Sequence, residues 1–473
     1  MREISIYNTA SRSIEAVKPL VEGQIGMYSC GMTVYYYAHL GHLRTYINSD
    51  LLRRTFEYFG YKVTQVMNVT DVGHLTNDAD EGEDKLEMGA KREGKNPWEI
   101  ARFYEEYFFE TIKKVNIEHP AVICRATEHI ADQIELIKEL EQKGFTYRTS
   151  VGVIFDTAQF PDYPKFARLN LEGQHAGARV KVDDERKNPS DFALWVTNQP
   201  KHIMQWDSPW GKGFPGWHAE CSAMSMKYLG KTLDIHTGGI DHIPVHHTNE
   251  IAQSECATGQ KYVNYWVHSD FLNIENEKMS KSLNNLYTLE DIVGCGYHPL
   301  ALRLLFLTSS FRTSMNFTWD SLAAAQKNLN KIWSKIVEYS NPQPVDVKNH
   351  PAVQEFENSI ANNINTGAVV ALMLSLAEQP MSDENYSILL EFDKVLALDM
   401  ANADARLKEM DEILKKSNPN EQAAQELLKK RDVLRRNKMY KEADECRTAI
   451  EQLNFAVVDT PMGSKLQPLV KKM

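Results

Sequence analysis

The chain has 473 residues, 42% of them hydrophobic and 25% charged, with a formal net charge of −11. That length exceeds what one hydrophobic core serves and points to about three domains, while the composition excludes a disordered or fibrous protein. No apolar run reaches the roughly 18 residues that span a bilayer, and the opening stretch MREISIYNTASRSIEAV lacks the apolar centre of a secretory signal, so cytoplasm is the expected compartment. Six scattered cysteines, Cys30, Cys124, Cys221, Cys256, Cys295 and Cys446, form no disulfide framework and read as free thiols or metal ligands.

Residues 25–30 are a short apolar run closed by Gly31, and predict a strand. Residues 39–41 then open a helix whose apolar positions Leu43, Ile47, Leu51, Phe56 and Phe59 recur at helical spacing, with Gly60 as its stop. The β-branched run 62–69 predicts the next strand, giving a βαβ start and a parallel sheet with ligands at the strand C-termini. The acidic stretch 77–84, NDADEGED, lacks calcium-loop spacing and reads as a solvated loop. A helical region follows, then a β-rich, proline-punctuated segment over 145–215 that reads as an insertion between two halves of the sheet. The sheet is expected to resume near Trp217 and continue to Ile251. Beyond Lys278 the pattern is almost wholly helical, with joints at Asn341-Pro342-Gln343-Pro344 and Asn418-Pro419.

Two short motifs carry chemistry. His39-Leu40-Gly41-His42 stands at the N-terminus of the predicted helix, where unpaired N–H groups and partial positive charge suit phosphate, and Gly41 keeps side-chain bulk away from a nucleotide. Alone, such histidines are as readily structural caps. Lys278-Met279-Ser280-Lys281-Ser282 supplies lysines on a loop that suits negative charge developing on a departing pyrophosphate. Together the two motifs resemble the ATP-handling signature of class I aminoacyl-tRNA synthetases, which implies catalytic roles for His39, His42, Lys278 and Lys281, and ATP binding by His39, Gly41, His42 and Lys281.

A second constellation is Cys30, Cys221, His246 and Glu250. His246 and Glu250 are four apart, on one face of a helix, and Cys30 ends the first strand. Two thiolates, an imidazole and a carboxylate make a plausible tetrahedral zinc site. Spacing alone equally allows buried structural cysteines beside a helical His–Glu pair.

The residues around these positions extend the likeness. Tyr28-Ser29-Cys30-Gly31-Met32-Thr33-Val34-Tyr35, Gly216-Trp217-His218-Ala219-Glu220-Cys221-Ser222-Ala223-Met224 and His246-His247-Thr248-Asn249-Glu250 resemble the cysteinyl-tRNA synthetase family, and the likeness runs from Ile6-Tyr7-Asn8-Thr9 to Asp459-Thr460-Pro461. The resemblance implies one zinc per chain on Cys30, Cys221, His246 and Glu250, taking the substrate thiolate as a further ligand. It places Asp241 on the substrate ammonium, Thr70 and Trp217 in the amino-acid pocket, and His218 and His236 near the site. It implies L-cysteine, ATP with Mg²⁺ and tRNA(Cys) as partners, a monomer, and no membrane.

The implied architecture is α/β: a Rossmann-type parallel-sheet catalytic domain in two halves (1–144 and 216–260) around an insertion (145–215), a stem-contact region with the lysine loop (261–318), a helical bundle (319–400) and a small anticodon-binding domain (401–473). Within the last, residues 429–441, KKRDVLRRNKMYK, hold seven basic residues against one acidic one, nominating Lys429, Lys430, Arg435 and Arg436 for tRNA. From charge alone the same run is a solvated helix face. The chain departs from the family's usual pattern at Met32, Thr237 and Asn284, in the acidic insertion, and in lacking a C-terminal tryptophan. Two rival functions share the features: a ligase joining cysteine to an amino sugar, and a catalytically retired RNA-binding paralogue.

Overall fold

The computed structural model describes residues 1–74, 84–169, 185–280, 283, 285–417, 419–453, 455–460 and 463–468. Its centre is a parallel sheet of five strands, β1 (Gln24–Ser29), β2 (Lys62–Val69), β3 (Val122–Arg125), β4 (Leu233–Gly239) and β5 (Val263–Ser269), in the order β5-β4-β1-β2-β3. Every neighbouring pair is parallel. This is a doubly wound arrangement whose chain direction switches between β1 and β4, and such switch points open a crevice at the strand C-termini.

Helix α1 (Leu40–Tyr58) joins β1 to β2 and buries Leu43, Ile47, Leu51 and Phe56 against the sheet, as their spacing requires. His39 is its N-cap, and the His39 N–H donates to Nδ1 of His42 at 3.2 Å. Gly60, at φ +86°, follows the end of the helix and reverses the chain into β2.

Residues after Trp217 form a helix, α2 (Trp217–Leu229), rather than a resumed strand; the sheet resumes at Leu233. The segment has no β-branched residue, and its small Ala219, Ser222, Ala223 and Ser225 let the stretch 218–225 sit buried against the sheet, while Lys227 and Tyr228 in the last turn are exposed. A π-helical turn over Ile243–His247 runs into α3 (Thr248–Thr258), and β5 ends at Ser269, past residue 260. Such π-turns often mark functional positions.

The insertion folds as a four-stranded antiparallel sheet, Thr146–Thr149, Gly152–Phe155, Phe192–Thr197 and Gly213–Pro215. The acidic stretch lies largely outside the described residues, but its last member, Asp84, is buried, caps the helix Lys85–Glu93 and pairs with His202 of the insertion at 2.6 Å.

Beyond Lys278 helices dominate, interrupted by the strand Met315–Phe317 and by a closing hairpin, Phe455–Thr460 with Gly463–Pro468. Arg303, fully buried on the helix Pro299–Leu307, meets Asp50 of α1 at 2.6 Å and donates to the carbonyls of Leu396 and Val115, locking bundle to sheet. Ala403–Ser417 packs on the bundle helix Trp319–Glu338. The terminal helices Glu421–Arg436 and Tyr440–Gln452 instead build a separate small core with the hairpin, from Ala424, Leu428, Ile450, Phe455 and Val457.

Candidate active site

The switch point gathers side chains from four elements. β1 delivers Cys30, whose N–H bonds the carbonyl of Thr237 on β4 at 3.2 Å. α2 presents Cys221, the π-turn His246, and the first turn of α3 Glu250. Cys30 Sγ lies 3.9 Å from Cys221 Sγ and 3.8 Å from Glu250 Oε1, and His246 Nε2 lies 3.1 Å from that same oxygen. All four residues are buried, with one ligating atom from each within 4.8 Å of every other. Two thiolates at about 2.3 Å from a tetrahedral zinc stand about 3.8 Å apart, so the sulfur spacing and the donor set fit that ion.

The far sides of these residues are held as well. Glu250 Oε2 accepts from His236 Nε2 at 2.9 Å and from the Tyr262 hydroxyl at 3.0 Å, while His246 Nδ1 faces His218 Nδ1 at 2.9 Å. Outer partners of this kind fix the direction of a metal ligand. Burial would raise the Glu250 carboxyl, but His236 and His246 hold it well below the carboxylate range. A hydrogen bond from Cys30 draws the Cys221 thiol down to about 7, whereas burial pushes Cys30 well up. A second overlapping set, Cys30, His236, His247 and Glu250, is also close enough to share an ion. Within it His236 is already bonded to Glu250, and His247 Nδ1 meets His268 Nε2 at 2.7 Å.

Cys30 also lines a cavity of about 300 Å³ at the strand C-termini, together with His39, His42, Trp217 and Asp241. Asp241 sits on the turn after β4; a Cβ at Gly239 would lie 2.3 Å from its Oδ1, so only glycine leaves room for that carboxylate. The rings of His39 and His42 stack at 3.6 Å. Burial lowers His39 to about 4 and His42 well below its usual value, so both are neutral near pH 7.

The two short motifs meet here. A Cβ on Gly41 would come within 2.4 Å of Met279 Cε, and the Leu40 N–H donates to the Tyr287 carbonyl at 2.9 Å. Asn285 clamps the start of the lysine loop, accepting from the Ser280 N–H at 2.8 Å and donating to the Lys278 carbonyl at 3.2 Å. Lys278 itself is exposed, 6.0 Å from the Phe271 ring, and is not among the cavity walls; Lys281 and Ser282 lie outside the described residues.

Thr70 is placed behind the cavity, not in its wall: its hydroxyl donates to Glu220 Oε2 at 3.1 Å, and His74 bonds the other oxygen of Glu220. Burial pushes the Glu220 carboxyl well up. The sequence reading missed Glu220, His74 and Lys85. Lys85 is a cavity wall with its Nζ 4.5 Å over the Trp217 ring, and next to two neutral histidines it is the permanent cation among the described walls. No motif or periodicity signals it; only the fold carries it to Trp217. In the terminal unit Lys429, Lys430 and Arg436 are exposed, whereas Arg435 is engaged by Asp459 at 2.7 Å.

A doubly wound sheet with paired histidines on its first helix, a lysine loop folded over them and a thiol-rich centre beside the cavity defines a class I nucleotide-using synthetase site. Residues 16–327 match the family model of the class I (C) tRNA synthetase catalytic domain, and the chain belongs to that family. It is 42% identical to the cysteine–tRNA ligase of Treponema denticola, covering 96% of this chain and 98% of that protein. It is likewise 42% identical to cysteine–tRNA ligase 1 of Burkholderia lata, over 98% of this chain and 96% of that one. Among solved structures it superposes on a Mycobacterium tuberculosis methionyl-tRNA synthetase with a TM-score of 0.55 at 14% identity, covering 83% of this chain and 93% of that one. The LeuRS of Agrobacterium radiobacter K84 gives 0.56 at 10%, covering 85% and 86%. At such identities these two share the fold.

Proposed function

We propose that the chain is a cysteine–tRNA ligase: it activates L-cysteine with ATP to cysteinyl-adenylate and pyrophosphate, then transfers cysteine to the 3′ end of tRNA(Cys). The observation that carries this reading is the buried quartet Cys30, Cys221, His246 and Glu250 opening, through Cys30, into the cavity that also holds the His39–His42 turn. Zinc held by the quartet supplies a borderline-soft cation that favours a thiolate over a serine hydroxyl. A hydrophobic pocket alone separates near-isosteres by only about 1–3 kcal/mol.

In the first step a cysteine carboxylate oxygen forms a bond to the α-phosphorus of ATP as the bond to the β-phosphate oxygen breaks. Asp241 receives the substrate ammonium and Trp217 closes the pocket beside it. Thr70 supports α2 from behind through Glu220. Neutral His39 and His42 donate to phosphate oxygens without carrying charge, and Lys278 and Lys281 neutralise the leaving pyrophosphate, with Mg²⁺ arriving on ATP. In the second step a ribose hydroxyl of the terminal nucleotide attacks the activated carbonyl and AMP departs.

The separate terminal core and the exposed Lys429, Lys430 and Arg436 support contact with the anticodon arm. The amino-sugar rival needs no such unit, and relatives matched along nearly the whole chain favour tRNA. The reading includes a cytoplasmic monomer; six free, buried cysteines accord with a reducing compartment, and no helix among the described residues is long and apolar enough to cross a membrane.

The test is a charging assay with whole tRNA, an amino-sugar acceptor and no acceptor. Cysteine-dependent pyrophosphate exchange with acylation of tRNA alone is expected; acylation of the sugar instead would replace this reading with the rival.

A further inference from the structure

One wall of the cavity beside the thiol centre is a cation in an unusual place. Lys85 lines that cavity with its Nζ 4.5 Å over the Trp217 ring, and it is the first residue of the helix Lys85–Glu93. The N-terminal end of a helix carries partial positive charge and favours acids, while cations suit the other end. The rest of this helix follows that rule, with Glu87 in the first turn and Lys91 and Arg92 in the last. Lys85 breaks it, so local helix stability does not account for a lysine at this position.

The backbone that carries this lysine is fixed from two directions. The Lys85 N–H donates to the His74 carbonyl at 3.0 Å, and the His74 ring bonds Glu220 of α2, three residues beyond Trp217. Asp84, the preceding residue, caps the helix by accepting from the Glu87 N–H at 2.8 Å. Nε2 of His202, from the insertion, lies 2.6 Å from Asp84 Oδ2 and 3.2 Å from the Gly73 carbonyl. A Cβ on Gly73 would come within 1.8 Å of that same Asp84 oxygen, so this packing requires glycine. Lys85 is thus anchored to α2 and to the insertion while its side chain reaches the cavity.

A bound cysteine presents three groups: thiol, ammonium and carboxylate. Cys30 marks the thiol side of the cavity and Asp241 receives the ammonium, which leaves the carboxylate. Among the described walls Lys85 is the sole lysine or arginine that can meet it. His39 and His42 are neutral there, and Lys278 is not a wall. We infer that Lys85 binds the carboxylate of the amino-acid substrate and holds it against the α-phosphate of ATP. The inference rests on the ligase reading above and adds a substrate-binding residue to it. Carboxylate and phosphate repel one another, and a cation shared between their oxygens offsets that repulsion at the point of attack. As the carboxylate oxygen bonds to the α-phosphorus, the bond to the β-phosphate oxygen breaks and its electron pair leaves on pyrophosphate; no proton leaves Lys85. The Trp217 face keeps the ammonium of Lys85 directed into the cavity.

The test measures binding of L-cysteine and of L-cysteinol, which keeps the thiol and the amine but lacks the carboxylate, to the full-length, metal-loaded chain. For Lys85→Met, cysteine affinity falls about 10- to 100-fold, as loss of a hydrogen bond between charged groups requires, whereas cysteinol binds as it does to the wild type. The kcat/KM for cysteine in pyrophosphate exchange falls by at least the same factor. Unchanged cysteine affinity overturns the assignment. So does an equal loss for both ligands, which would make the lysine a packing partner of Trp217 and nothing more. Should Lys85→Met not fold, Lys85→Arg decides, since it keeps the charge: cysteinol bound as by the wild type, with cysteine within about 10-fold, supports the proposal, and equal losses or binding of neither overturn it. A wild-type chain without cysteine-dependent pyrophosphate exchange overturns the ligase reading and this inference together. Wild-type exchange beside an unaffected Lys85→Met overturns the role of Lys85 alone.

Discussion

The thiol centre and the basic terminal helix are opposites in construction. Cys30, Cys221, His246 and Glu250 come from four elements spread over 220 residues and are buried, and Glu250 and His246 are held from outside the set by His236, Tyr262 and His218. Lys429, Lys430, Arg435 and Arg436 come from one helix, stand at the surface, and have few fixed partners beyond the Arg435–Asp459 pair. A buried set of unlike ligands has one chemical use, whereas an exposed charge run suits any polyanion or none. The proposed ligase function assigns selectivity for the amino acid to the first region, and to the second an affinity that is screened by salt.

The comparison breaks most sharply at Cys221. Cys221→Ala is expected to lose bound metal and to raise the cysteine concentration needed for exchange, with a larger total effect than any single surface change; normal exchange in this variant would dissolve the contrast. Lys281→Ala is expected to slow adenylation about 10²–10³-fold with cysteine affinity nearly unchanged, as when a single transition-state hydrogen bond is removed. A much smaller effect on exchange would take that lysine out of the chemistry. Tyr262→Phe removes one outer bond to Glu250 and is expected to weaken metal affinity about 10-fold, at the low end for such partners; titration against a chelator reads it. The smallest effect belongs to the terminal helix. Neutralising Lys429, Lys430 and Arg436 is expected to leave exchange intact and flatten the salt dependence of tRNA binding by up to about 0.7 per phosphate released. An unchanged slope would return that helix to a plain solvated face.

Much of the fold was legible because it is written locally. The β-branched run at β2, the helical spacing of Leu43, Ile47, Leu51 and Phe56, and the stop at Gly60 each concern neighbouring residues, and all recur in the structure. The segment after Trp217 misled because residues 218–225 are buried on every side of the helix and so show no amphipathic period. The Tyr28–Tyr35 and Gly216–Met224 strings made the ligand set legible by likeness; its spacing was uninformative, since residues 30, 221, 246 and 250 meet only through the sheet order. Lys85 and Glu220 were invisible for the same reason, without a motif to compensate. Thr70 was legible as a site residue but not as a support, because its bond to Glu220 exists only once α2 is packed.

The most direct measurement is metal analysis of the purified full-length chain beside its cysteine-dependent pyrophosphate exchange, before and after chelation and on adding zinc back. The account predicts a single zinc per chain, loss of exchange as the metal is removed, and recovery when it returns. Full activity in stoichiometrically zinc-free protein would contradict it.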